Sequence, residues 1–66
     1  MKTYDEIKQK AYRLYLQSYK IDNERIADKW QSKAELLLSF VLEMDQEEVE
    51  NISDAAWNEY EKGVQG

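Results

Sequence analysis

The groups in this 66-residue chain that could do acid–base chemistry are carboxylates, fourteen Asp and Glu against nine Lys and Arg. Five of them crowd into one stretch: Asp45, Glu47, Glu48, Glu50 and Asp54. Two carboxylates can act as acid and base when a cleft holds them together and drives their pKa values apart. Nothing around these five marks a cleft, and their pattern reads as a solvated helix face. Calcium would need an Asp-x-Asp-x-Asp-Gly loop, which the chain lacks. There is no His and no Cys. That excludes Ser–His and Cys–His nucleophiles, thiolate metal sites and disulfides. No glycine-rich loop is present to cradle a phosphate. The expectation is a protein that is not an enzyme and holds no cofactor and no metal.

Any fold must be organised around residues 35–44, the one strongly apolar run in a polar chain of mean hydropathy −0.87. Leu, Glu, Met and Ala dominate it, and these residues favour helix. Ile26, Trp30, Lys33, Leu37, Phe40 and Met44 step by four and three, the spacing of a buried helical stripe. Ala27, Ala34, Leu38 and Val41 widen it, while Leu36 and Leu42 fall nearly opposite. A helix apolar almost all round needs cover on several sides.

The flanking segments also read as helices. Thr3 and Glu6 fit a capping box opening a first helix. Tyr4, Ile7, Ala11, Leu14 and Ser18 give it one face, with Tyr15 beside them. Tyr12, Leu16 and Tyr19 give it a second, more than a quarter-turn away at about 100° per residue. Asp22 is placed to cap a second helix, with Ile21 and Ile26 as a hydrophobic staple. Ser32 and Glu35 form another capping-box match, so a break at Ser32 is an alternative to one continuous helix. Asp45 with Glu48, and Met44 with Val49, mark a third start. Val49, Ile52, Ala56 and Tyr60 make its inner face, with Trp57 at the margin. Ser53 offers a second cap, and Gly63 a natural stop. The expected fold is all-α, a compact three-helix bundle in a single domain. Its helices run at about 3–20, 23–44 and 46–62, becoming four if the chain breaks at Ser32 or Ser53.

A chain this short rarely gains more than about 3–5 kcal/mol from one core, so self-association would help it. Net charge is −5, unevenly spread. Residues 1–20 hold five bases and two acids, whereas residues 45–66 hold seven acids and only Lys62. The two ends could attract within one bundle, or the acidic end could face a basic partner. No signal-peptide pattern and no apolar run of about 18 residues is present. A soluble, cytoplasmic protein away from any membrane is expected.

Partner binding is the function these features favour. Tyr12, Leu16 and Tyr19 are either a second buried face or an interface, because Tyr combines apolar area with a polar handle. Leu36 or Leu42 could join them. Glu47, Glu50 and Asp54 with Trp57 form a second patch. These residues suggest a small acidic inhibitor or adaptor that occludes a larger protein with a basic surface, in the manner of phage or plasmid accessory proteins. A homodimer with no other partner is one alternative. A helix-turn-helix nucleic-acid regulator is another, with its turn at Gln31 and a second helix from Lys33. That second helix carries one base and almost nothing able to read base edges, and overall acidity opposes phosphate contact.

Overall fold

A computed structural model describes residues 3–65. Helix α1 spans Tyr4–Lys20, α2 Glu24–Leu36 and α3 Gln46–Gln65, with a π-helical segment Leu37–Val41 following α2. The chain is an all-α three-helix bundle, and no strand occurs among the described residues. Helix α2 runs unbroken through Gln31 and Ser32, and α3 through Ser53. The bundle therefore has three helices and not four.

Two helix starts follow local side-chain chemistry. Thr3 Oγ1 accepts from the Glu6 amide at 3.3 Å, and Asp45 Oδ1 from the Glu48 amide at 2.9 Å. Each satisfies an amide that has no partner within its own helix. Met44 and Val49, the staple pair of α3, are both buried. The start of α2 differs from expectation. Asn23, not Asp22, is the cap, its Oδ1 accepting from the amides of Arg25 and Ile26 at 3.1 and 3.2 Å. Helix α1 ends at Lys20 and Ile21 is extended, so Asp22 is spent completing the turn. The Ile21–Ile26 staple is consequently out of register, and Ile26 is exposed.

The third helix also runs past Gly63 to Gln65. Gly63 does not adopt the left-handed conformation that ends helices. Nothing packs where its side chain would be.

Helix α1 is the shared element. Both α2 and α3 pack on it and meet each other only marginally. Gln31 Nε2 donates to Ser18 Oγ at 3.2 Å, and Ser18 Oγ donates to the Tyr15 carbonyl at 2.6 Å. Toward α3, Asp5, Lys8, Gln9 and Tyr12 flank Asn51, Ile52 and Ala55 at one end of a seam. At the other end Leu16 and Lys20 flank Glu59, Tyr60, Gly63 and Val64. These pairings make α1 and α3 run in the same sense, and α2 against both.

The core consists of Ala11, Tyr15, Ala34, Leu38, Met44, Val49 and Ala56. Its α2 contribution departs from expectation. Ala34 and Leu38 are buried while Phe40 and Ile26 are exposed. Apolar residues surround this helix, so spacing alone does not select a face. Contact with α1 selects the one bearing Ala34 and Leu38.

Among the described residues Leu38 is the one large side chain with no exposure at all. Leu38→Ala should cost about 2–5 kcal/mol, comparable to the whole stability of so small a domain. Circular dichroism at 25 °C should show most of the helical signal lost.

Candidate protein-binding surface

The α-helical ladder of α2 gives way at Leu37, whose amide is shared between the carbonyls of Lys33 and Ala34. The Leu42 amide then reaches back five residues to the Leu37 carbonyl at 3.1 Å. Ser39 Oγ donates to the Glu35 carbonyl at 2.7 Å, offering that carbonyl a side-chain partner in place of the ladder. The segment closes at Glu43, which has φ 53°. From there the Met44 amide turns back to the Leu38 carbonyl at 3.0 Å.

A wider turn lags behind α spacing, and the side chains rotate accordingly. Val41, which α periodicity would set beside Leu37 and Leu38, is 52% exposed. Phe40 is 79% exposed and Leu36 61%. With Leu37 and Lys33 they line one shallow depression. The result is an apolar knuckle at the end of α2 with a single base on its rim.

The residues expected at a partner surface fall in two places. Tyr12, Leu16 and Tyr19 are half-buried against the core, on the face α1 turns to α3. The Tyr12 hydroxyl donates to the Glu59 carboxylate. The Tyr19 hydroxyl lies 2.9 Å from Ser53 Oγ. Leu42 is half-buried as well. Glu47, Glu50 and Asp54 are exposed on α3, and Glu50 Oε1 accepts from Gln46 Nε2 at 3.3 Å. Trp57, 43% exposed, links the two groups. The Tyr19 ring meets it edge-on, centroids 5.0 Å apart at 86°, and the Tyr60 ring completes a triangle, 5.5 Å from Trp57 and 6.2 Å from Tyr19.

Sequence reasoning missed two features. Phe40 stepped with Leu37 and Met44 and so looked internal. Arg25, Lys29 and Lys33 recur every fourth residue, the spacing that aligns them on one helix face. All three are exposed, and none makes a side-chain hydrogen bond or ion pair among the described residues.

No family model, curated protein or solved structure matches this chain. Its surface must speak for itself. Among the described residues no cluster of three or more His, Cys, Asp or Glu could hold a metal ion. No helix there is long and apolar enough to cross a membrane.

Two tyrosines titrate late. Tyr12 is raised by its hydrogen bond to Glu59, then by burial and the Glu59 charge. Tyr15 is pushed up to about 12 by burial first, then by the charges of Glu35 and Tyr19. The folded state thus keeps the Tyr15 proton after the unfolded chain, with its ordinary value near 10, has lost it. Stability is intact below pH 10 and falls as pH rises toward 12. Tyrosinate absorbance should show a final step near pH 12 that vanishes in Tyr15→Phe. A Tyr15→Phe protein that keeps this step would refute the assignment.

Proposed function

We propose that this chain is a non-catalytic protein-binding module, an inhibitor or adaptor that acts by covering a surface of a larger protein. The observation that carries this reading is the apolar knuckle of Leu36, Phe40 and Val41. Phe40 projects into solvent although the fold retains half-buried positions elsewhere for apolar side chains. Burying one such side chain at an interface contributes about 1.5–3 kcal/mol, and aromatic residues are enriched at interface centres.

The outward face of α3 supplies a second element. Glu47, Glu50 and Asp54 lie there beside Trp57 and suit a basic surface, where they would steer encounter and set orientation more than affinity. The mechanism is occlusion. The knuckle docks in an apolar recess while the carboxylates meet Lys or Arg, and no bond is made or broken.

Tagged protein incubated with extract of the cells that produce it should retain one stoichiometric partner. Phe40→Asp should reduce that retention at least about tenfold, the equivalent of 1.4 kcal/mol. Its helical signal and melting temperature should stay unchanged, because Phe40 contributes little to the core. Equal retention by Phe40→Asp would remove the knuckle from the contact.

A further inference from the structure

Helix α2 keeps its charges on separate sides. At about 100° per residue, Arg25, Lys29, Lys33, Leu36 and Phe40 fall on one stripe, with Ile26 at its edge. The stripe points nearly opposite to Ala34 and Leu38, which are buried. The acids of the helix, Glu24, Asp28 and Glu35, lie more than a quarter-turn from its middle. The side of α2 turned to α3 holds Gln31 and Glu35, which share a depression with Glu50 and Ser53. The stripe therefore faces away from both other helices, and all six of its residues are exposed.

Its two halves differ in chemistry. Arg25, Lys29 and Lys33 follow one another at intervals of about 6 Å, a spacing at which like charges repel. None has a hydrogen-bond or ion-pair partner among the described residues, although the chain carries fourteen acids against nine bases. Leu36 and Phe40 continue the row, and Lys33 lines the same shallow depression as they do. Bases thus run straight into the apolar knuckle, over about 20 Å in all. The complement is a surface of the same pitch and opposite charge. A helix supplies it, since side chains four apart form ridges that pack against those of a neighbouring helix.

We propose that this stripe docks an acidic amphipathic helix of another protein, whose carboxylates pair with Arg25, Lys29 and Lys33 and whose apolar row covers Leu36 and Phe40. The inference rests on reading the knuckle as a docking surface, and it names what docks there. Helix α3 of a second copy does not fit. Its apolar row of Val49, Ile52 and Ala56 is already turned into its own bundle, and its Trp57 packs on Tyr19. An anionic lipid surface fits poorly, because such surfaces are met by clusters of about four to eight Lys or Arg and this chain carries −5 overall. Exposed ion pairs contribute little energy each. The apolar row supplies most of the attraction and the bases set orientation, so the contact is weak and salt-sensitive.

Fluorescence anisotropy with the full chain tests this. The probe is a labelled synthetic peptide of about 20 residues, with Leu along one helical face and Glu on both flanks. It should bind saturably in about 0.1 M salt and more weakly in about 1 M, where the Debye length shrinks from about 10 to 3 Å. Lys29→Gln with Lys33→Gln should weaken binding about fivefold or more, and Phe40→Ala about tenfold or more, with the helical signal unchanged because all three side chains are exposed. Lys20→Gln with Lys62→Gln removes the same charge elsewhere and should bind as the natural chain does. No binding, equal loss in the Lys20 and Lys62 variant, or tighter binding to phosphatidylserine vesicles than to the peptide would each overturn the proposal. The target-binding reading fails separately, through the Phe40→Asp capture experiment. Capture that is lost with Phe40→Asp but kept with Lys29→Gln and Lys33→Gln sinks only the acidic helix.

Discussion

One helix serves as the packing partner for both of the others, and the rest of the molecule follows from that. Helix α1 must present two faces, which is why its apolar residues fall in two stripes. Ala11, Tyr15 and Ser18 are buried on one, and Tyr12, Leu16 and Tyr19 are half-buried on the next. Small residues make the sharing possible. Ala11, Ala34 and Ala56 are fully buried, and alanine at a contact lets helix axes approach to the short end of their usual 8–10 Å separation. Close approach leaves little room for large side chains between the helices, so the core has few of them. The seam to α3 is held at its edges by polar contacts instead, such as Tyr12 to Glu59 and Tyr19 to Ser53.

The same economy explains the surface. A chain with a core this small cannot enclose every apolar residue of the 35–44 run. The π segment decides which are left out. By widening the helix at Leu37–Val41 it turns Val41 outward, while Leu38 and Phe40 keep the inward and outward positions that α spacing from Ala34 gives them. Glu43 then takes a left-handed backbone, a conformation that costs a non-glycine residue about 1–2 kcal/mol. The reversal it makes lets Met44 re-enter the core only four residues after the exposed Phe40. Local strain at one residue thus brings the last apolar anchor home and aims the start of α3.

What could be read from residues alone divides along the range of the interactions. Thr3 and Asp45 were legible as caps because each bonds an amide three residues away. The three-helix count was legible because apolar phase shifts at Asp45. Asp22 and Asn23 cap about equally well, so their choice depends on where α1 stops. The inward face of α2 was not legible, because a helix apolar all round has no preferred side until α1 is placed against it. The π segment rests on bonds reaching five and six residues back, which follow from tertiary packing and leave no periodic trace. Of the surface residues, Glu47, Glu50, Asp54 and Trp57 stood out by type. Phe40 was hidden because its spacing matched the core.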